Sequence, residues 1–489
     1  MATTSPSDDE LVAAVKVVRE AHPALGIVKL WAQLKIDRPG WAVSEKRFRK
    51  ALSATGDGAS SSSTAAPKPK KNELVAQTGL DATLDITAVA PKVKAKMFGG
   101  TKGKGVVAKA KIQAGEVLWQ EEPWIACPDP GFKPHLAARR LCANCLTQWD
   151  PVPPMAVACP SCADAHFCNR LCLSRARPHV SHHELLCEGA NPAAKEINSL
   201  VTAREWRSLD VVARIVARWR GERAWGEPGA ADAVEKRVWG SIARVNMETR
   251  EAEKADWPTR KDFTTRQWQL GHAAVVAALN PPPESKAHKR FTQLLQSKAK
   301  GRKVTPLSSE EEARWFSYES FLELLGLVNI NMEDSGGLYA VHAHLNHSCD
   351  PNVMVRNLPK GYVAPTEAQL PAELPARNPP GVRGTNKLTI LARRTIHPGD
   401  ECTISYVDQS LPWDVRRQAL RDGYGFWCEC VRCEKERIEE EKEAARKATA
   451  REAVAKAMAN HAEAKKAAKD GAVDELTAKV DELAVDDML

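Results

Sequence analysis

The 489-residue chain has no run of eighteen or more apolar residues, which excludes a membrane-spanning helix. Its first nine residues are polar and lack the apolar core of a secretory signal. No single sign of charge dominates either. The formal net charge is +8, a modest basic excess that suits an acidic partner but is too small for a protein that coats nucleic acid. We therefore expect two or three domains in a reducing intracellular compartment.

The thirteen cysteines are concentrated in two stretches of the sequence. Eight lie between Cys127 and Cys187, and three lie between Cys428 and Cys433. In a secreted chain such clusters indicate disulfides. In a reducing compartment they indicate bound metal.

The first cluster contains ligand pairs at the spacing that zinc requires. Two intervening residues allow two thiolates to bend round one tetrahedral ion, and three allow the same from a helical turn. Four pairs predict two structural zinc ions with no open position: Cys142 and Cys145, Cys159 and Cys162, Cys168 and Cys172, His183 and Cys187. Little apolar sequence surrounds them, so we expect the metal to supply folding free energy. His179 and His182 compete with His183, which we prefer for its spacing to Cys187.

Residues 346–352 form the most informative stretch outside this cluster. If Asn346 and His347 are buried, they are satisfied only by each other, by backbone or by a polar ligand. Cys349 lies far from any other cysteine in the sequence. Three later cysteines are one ligand short of a tetrahedral site, and we expect Cys349 to complete it. These three are Cys428, Cys430 and Cys433.

The segments before residue 91 predict a small helical module and a linker. Residues 1–54 contain three short helical patterns, the first capped by Ser7-Asp8 and the last one basic. Such a module is typical of protein interaction, which we favour, or of a helix-turn-helix. Residues 55–90 begin with Ser, Ala and Gly and predict a flexible linker, in which residues 67–71 form a weak nuclear-import patch.

The remaining patterns predict an α+β fold. Short apolar runs predict strands at 103–108, 353–355, 388–392 and 401–406, and residues 112–118 predict a turn into a further strand. Residues 191–301 have helical periodicity and are rich in tryptophan, for which core packing is the default interpretation. Residues 435–489 alternate acidic, basic and alanine residues, which predicts a solvated charged helix.

In this order, the motifs resemble a SET-domain protein lysine methyltransferase of the SET-and-MYND type, and most closely the fungal histone (H4-type) lysine methyltransferases. The resemblance covers residues 93–433. It depends on Gly103-Lys104-Gly105, the cysteine-rich insertion, Asn346-His347-Ser348-Cys349-Asp350-Pro351-Asn352, Gly399-Asp400-Glu401-Cys402-Thr403-Ile404-Ser405-Tyr406, and Cys428, Cys430 and Cys433. Ala343 departs from the pattern, because the family often has Ser there, and one hydroxyl contact is lost.

The resemblance implies a SET β-fold that is interrupted by a MYND zinc finger and a helical insert and followed by a post-SET zinc site. The implied boundaries are 91–137 for the first SET segment, 138–190 for the finger, 191–315 for the insert, 316–410 for the SET core and 411–434 for the post-SET segment. It also implies three zinc ions in total, two of which are bound by a cross-braced finger. One ion would take Cys142, Cys145, Cys168 and Cys172, and the other Cys159, Cys162, His183 and Cys187.

The resemblance further implies S-adenosyl-L-methionine as cofactor and methyl transfer to a lysine amine. The cofactor-binding residues would be Lys104, Gly105, Asn329, Asn346, His347, Tyr406 and Phe426. Lys104 and Gly105 would contribute backbone, and Asn331 is an alternative to Asn329.

Tyr406 is the catalytic residue that the resemblance implies. It would hold the reacting amine in line with the sulfonium methyl group. A phenol with an ordinary pKa near ~10 is a poor base at neutral pH. We therefore assign Tyr406 an orienting and electrostatic role.

The implied substrate is a basic, lysine-containing protein tail, with the histone H4 tail favoured. This substrate implies a nuclear, chromatin-bound protein that could also occur in the cytoplasm. The finger would bind a peptide partner, and the small basic excess leaves a contact with nucleic acid open. The competing hypothesis is a zinc-braced adaptor with a non-catalytic SET core. The presence of Asn346, His347 and Tyr406 argues against it.

Overall fold

The computed structural model describes residues 4–22, 27–44, 47–48, 51–52, 76–99, 102–162, 164–176, 183–299, 301–333, 336–358 and 384–486. The chain divides into two compact units. One comprises Met1–Lys68 with Gly99–Thr101, and the other comprises Pro69–Phe98 with Lys102–Leu489.

The first unit is helical, as its sequence predicts. Helix α1 (Asp8–Ala21) begins with a capping box, in which Ser7 Oγ accepts from the Glu10 N–H at 3.3 Å and Glu10 Oε2 accepts from the Ser7 N–H at 2.9 Å. Helix α2 (Ile27–Asp37) follows. The two helices enclose a small core: Leu11, Val15, Val18, Leu30, Leu34 and Phe48. Only part of the predicted third helix lies in the described residues. There the Phe48 N–H donates to Ser44 O at 3.0 Å. Lys46, Arg49 and Lys50 lie outside the described part of the chain.

The second unit contains the sheets. The strands are β1 (Val93–Met97), β2 (Lys104–Ala108), β3 (Val117–Glu121), β4 (Ile125–Ala126), β5 (Val157–Ala158), β6 (His166–Phe167), β7 (Gly337–Leu338), β8 (Asn346–His347), β9 (Val353–Asn357), β10 (Leu388–Ala392) and β11 (Glu401–Ile404). One sheet has the order β1-β2-β11-β8 and another the order β3-β10-β9, and β4 pairs with β7 and β5 with β6. Strand β8 is parallel to β11, with Asn346 opposite Thr403, and the other pairs are antiparallel.

The turn into a strand that is predicted at 112–118 is confirmed. Gly115 forms the turn with φ +80°, Ile112 makes an isolated bridge to Ile396, and β3 begins at Val117. The strand predicted at 401–406 ends at Ile404. Most of the loop between β9 and β10, residues 359–383, lies outside the described residues.

Helices make up the rest of the second unit. They are α3 (Ile86–Val89), α4 (Lys133–Ala137), α5 (Arg170–Ala176), α6 (His183–Leu186), α7 (Ala194–Ala203), α8 (Arg207–Trp225), α9 (Ala230–Glu235), α10 (Met247–Ala252), α11 (Trp257–Leu279), α12 (Lys286–Lys298), α13 (Ser309–Phe316), α14 (Tyr318–Asn331), α15 (Trp413–Tyr424) and α16 (Val431–Asp486). A π-helical turn, Lys236–Ser241, follows α9. The predicted charged tail forms α16, which begins earlier than residue 435 and includes Cys433. None of the helices in the described ranges is long and apolar enough to cross a membrane.

The tryptophans of the helical region form its core, as predicted. Trp219 and Trp315 are each 1% exposed, and their rings stack with centroids 4.7 Å apart. Trp239 packs edge-on against Trp315 at 5.5 Å. Because aromatic side chains bury the largest apolar areas, this stack anchors α8, α13 and the π-helical turn together.

We expect Trp315→Ala to lower the free energy of unfolding by about 3–5 kcal/mol, because it leaves a cavity in this stack. Chemical denaturation followed by circular dichroism measures the change. Phe263→Ala is the control, since Phe263 is 67% exposed on α11, and its removal should have little effect. Equal losses for the two variants would contradict the assignment of this core.

Candidate active site

The side chain of Asn346 joins three strands at one corner of the sheet. Its Nδ2 donates to Lys104 O on β2 at 2.8 Å and to Glu401 Oε1 on β11 at 2.8 Å. Asn346 itself lies on β8. The second carboxylate oxygen of Glu401 pairs with Lys102. This corner therefore brings the glycine-rich loop and the Asn346 motif together.

Gly105 is required by close packing at the same corner. A Cβ atom there would lie 2.5 Å from Phe98 Cε2, 2.8 Å from Asn346 Nδ2 and 2.9 Å from Glu401 Oε1. Gly103 has φ +69°, a conformation that L side chains rarely adopt. The glycine pair is therefore more than a hairpin turn, since only glycine lets the backbone approach Asn346 this closely.

The Lys104 side chain is buried away from this corner. Its Nζ donates to Ser241 O at 2.8 Å, at the end of the π-helical turn. Burial lowers the pKa of the Lys104 amine to about 7. Because the amine is occupied there, a cofactor contact from Lys104 would come from its backbone, which agrees with the predicted mode of contact.

Both ring nitrogens of His347 have partners within the protein. Nδ1 accepts from the Tyr406 N–H at 3.0 Å, and Nε2 lies 3.2 Å from Cys349 Sγ. Burial lowers the pKa of this imidazole to about 4, so the ring is neutral at physiological pH. The cofactor contact predicted for His347 would therefore involve its main chain.

Asn352 and Glu401 are site residues that sequence reasoning missed. Asn352 Nδ2 donates to Glu401 O at 2.7 Å, and Asn352 Oδ1 accepts from the Thr403 N–H at 2.8 Å. Asn352 thus binds the edge of β11 in the manner of a neighbouring strand. Both residues belong to motifs that were recognised, but a lone amide or carboxylate carries no spacing signal of its own.

Tyr406 lies just beyond β11 among aromatic rings. Its Oη donates to Leu345 O at 2.6 Å, and its ring lies 4.6 Å from that of Tyr424. Burial raises the pKa of the Tyr406 phenol above its ordinary value. Phe426 is close by, with its ring 6.1 Å from the His347 ring. The phenol is therefore protonated at neutral pH and acts as a hydrogen-bond donor.

The two candidate asparagines at the end of α14 have protein partners. Asn329 Oδ1 accepts from Ser208 Oγ at 2.9 Å, and its Nδ2 lies 3.3 Å from Met247 Sδ. Asn331 Nδ2 donates to Ala243 O and Leu327 O, each at 2.7 Å. These amides hold α14 against neighbouring segments, and the cofactor contact of Asn329 stays a prediction.

The structure brings Cys349 together with the three later cysteines. The four sulfurs of Cys349, Cys428, Cys430 and Cys433 lie within 4.8 Å of one another. Hydrogen bonds with the Cys349 and Cys430 sulfurs, together with burial, raise the pKa of the Cys428 thiol. Four sulfurs this close ionise together only beside a cation, so the donor set fits a tetrahedral zinc ion.

The cysteine-rich insertion forms two further clusters. The sulfurs of one set lie within 4.8 Å of one another: Cys142, Cys145, Cys168 and Cys172. The sulfurs of a second set, which has three members, also lie within 4.8 Å of one another: Cys159, Cys162 and Cys187. Helix α6 begins at His183, but the side chain of His183 is outside the described part of the chain, as are His179 and His182. The fourth ligand of this set stays a prediction.

We expect Gly105→Ala to destabilise the protein by about 1–3 kcal/mol, because the added methyl group overlaps Phe98, Asn346 and Glu401. The denaturation midpoint measures this loss. Gly423→Ala on α15 is the control, since nothing lies within 4 Å of its Cβ position, and that variant should be as stable as the parent or slightly more stable. A Gly105→Ala protein with unchanged stability would refute the close approach at this corner.

Comparison with known proteins agrees with this geometry. A sequence model of the SET domain matches residues 103–407, more than half of the chain. The chain is 28% identical over 474 residues to histone-lysine N-methyltransferase SET5 of Mycosarcoma maydis, covering 88% of each protein. It is 27% identical over 449 residues to SET5 of Yarrowia lipolytica, covering 88% of this chain and 83% of that protein.

A mouse protein is also similar over a shorter span. Histone-lysine N-methyltransferase SMYD3 of Mus musculus is 22% identical over 342 residues, covering 69% of this chain and 61% of that protein. The α+β architecture, the corner formed by Asn346 and Gly105, and the match across residues 103–407 agree with one another. The chain belongs to the SET-domain family.

Proposed function

We propose that this protein transfers methyl groups from S-adenosyl-L-methionine to lysine side chains of a histone tail. The observation that carries this proposal is the corner where Asn346, Gly105 and Glu401 meet, with Tyr406 held beside it. Relatives along 88% of the chain are named histone-lysine N-methyltransferases.

The residues at this corner fit the cofactor that the family implies. Gly105 lets the backbone of β2 lie against Asn346 and Glu401, because a side chain there would overlap Phe98, Asn346 and Glu401. The main chain of His347 and the ring of Phe426 would bind the adenine end. The Glu401 carboxylate pairs with Lys102 and accepts from Asn346 Nδ2, so it holds the Asn346 amide beside the backbone of β2.

Bound S-adenosyl-L-methionine supplies a methyl group made electrophilic by its sulfonium. The lysine amine must lose its proton before its lone pair forms the new N–C bond. Tyr406 is unsuited to remove that proton, because its phenol is protonated and donates to Leu345 O. Its role is to orient the amine beside a fixed dipole in a buried site.

The substrate class and location extend this proposal. The histone H4 tail, a basic lysine-containing segment, is the substrate that we favour by analogy with the family. A histone substrate implies a nuclear, chromatin-bound protein. Three zinc ions would complete the three cysteine clusters, and the finger would offer a surface to a peptide partner.

The adaptor hypothesis is not favoured. The chain has the Asn346, His347 and Tyr406 that the enzyme family implies, and its relatives along 88% of its length are named histone-lysine N-methyltransferases. Mass spectrometry of mixed core histones after incubation with the zinc-loaded protein and isotopically labelled cofactor tests the proposal. Labelled lysine on a histone is the expected result. A protein that binds no cofactor and labels no histone would support the adaptor.

We expect Tyr406→Phe to lower kcat by about 10²-fold, the scale of losing one preorganised hydrogen-bonding group, while the Kd for cofactor changes less than about twofold. The parent rate should increase with pH as the substrate lysine deprotonates, while the Tyr406 phenol stays protonated because burial raises its pKa. Stopped-time methylation assays and calorimetric titration of the cofactor measure the two constants. Loss of cofactor affinity with unchanged kcat would mean that Tyr406 contributes to cofactor binding and not to the methyl-transfer step.

Metal analysis of the purified protein tests the three cysteine clusters. We expect three zinc ions per chain, and two after Cys430→Ala, because that variant removes one ligand of the set around Cys349. Cys402→Ala is the control, since Cys402 is buried outside all three clusters, and it should retain three ions. Identical metal content in both variants would contradict the ligand assignment.

A further inference from the structure

His347 is the one link between Cys349 and the backbone of Tyr406 among the described hydrogen bonds. Strand β11 ends at Ile404, so no neighbouring strand receives the Tyr406 N–H. The Nδ1 atom of His347 accepts it instead at 3.0 Å. The other end of Tyr406, its Oη, is held by Leu345 O at 2.6 Å. Both ends of the tyrosine are therefore bound by the segment that leads to Cys349.

The position of the ring proton follows from these contacts. Nδ1 accepts a hydrogen bond from a backbone N–H, so the neutral ring carries its proton on Nε2. That N–H faces Cys349 Sγ at 3.2 Å. A thiolate accepts such a bond, and N–H donors of this kind orient metal ligands and adjust their charge.

We propose that His347 is a positioning residue that couples metal at the Cys349 cluster to the placement of Tyr406. With the thiolate of Cys349 fixed by metal, the N–H···S bond fixes the ring, and the ring fixes the Tyr406 backbone. The kinetic part of this inference rests on the proposed methyl transfer. The metal part depends only on the contact between His347 and Cys349.

Two substitutions each remove one of the two contacts that the His347 ring makes, with the Tyr406 N–H and with Cys349 Sγ. In His347→Asn, the amide oxygen replaces Nδ1 and can accept from the Tyr406 N–H, but nothing reaches Cys349. In His347→Gln, the amide nitrogen replaces Nε2 and can donate to Cys349, but the Tyr406 N–H loses its acceptor. His397→Asn is the matched control, since His397 is exposed and lies outside the site.

The experiment measures zinc release to a chromogenic chelator, kcat, and the Kd for S-adenosyl-L-methionine for each full-length variant. We expect His347→Asn to release one zinc ion about 10–100-fold faster than the parent, and His347→Gln to release it at the parent rate. We expect kcat to fall about tenfold in His347→Gln, a loss typical of one hydrogen bond to a buried group, and less in His347→Asn. The two zinc ions of the finger are the internal test of folding, because they should leave at the parent rate in every variant.

Specific outcomes overturn the inference. If both variants retain the parent zinc-release rate and kcat but bind cofactor more weakly, the His347 ring contacts the cofactor and does not couple the Cys349 cluster to Tyr406. Equal zinc release in His347→Asn and His347→Gln also contradicts it. If the parent transfers no methyl group while His347→Asn still loses one zinc ion faster, the proposed function fails and the contact between His347 and the metal site is supported.

Discussion

Three side chains of the segment 346–352 act as hydrogen-bond partners for the backbone of neighbouring strands. Asn346 binds β2 through Lys104 O, His347 binds the Tyr406 N–H, and Asn352 binds both Glu401 O and the Thr403 N–H. A buried backbone group without a hydrogen-bond partner costs free energy. The side chains of Asn346, His347 and Asn352 supply such partners where strand pairing does not. They also fix where the backbone of the site lies, and the arrangement of Gly105 and Tyr406 depends on them.

The cysteine cluster completes the same segment from the other side. Cys349 follows His347 by two residues, and its sulfur lies 3.4 Å from that of Cys433 on α16. Arg416, which is 1% exposed, places its guanidinium near Cys433 and pairs with Glu436. A metal ion bound at this cluster would therefore join two segments that are distant in sequence, and it would fix one end of the turn whose other end contacts Lys104 and Glu401. The residues of this turn therefore contribute both to the stability of the fold and to the geometry of the candidate site.

The sequence was sufficient to predict the family, the α+β class and the three cysteine clusters, because short ligand spacings and ordered motifs are local patterns. The tryptophan core followed from helical periodicity for the same reason. The side-chain partners were harder to predict. The strand expected to reach Tyr406 ends at Ile404, and beyond it the Tyr406 N–H donates to the His347 side chain instead of to a neighbouring strand. Glu401 was missed because its role depends on a contact with Asn346, 55 positions away in the sequence.

We propose that the polar side chains of the segment 346–352 hold the protein's own backbone, so that its main chain is left to face the cofactor. A crystal structure of the zinc-loaded protein with S-adenosylhomocysteine tests this claim most directly. We expect the ligand against the main chain of Gly105 and His347, with the His347 ring still bonded to the Tyr406 N–H and to Cys349. A His347 ring that has left Tyr406 and hydrogen-bonds to the adenine would contradict the account.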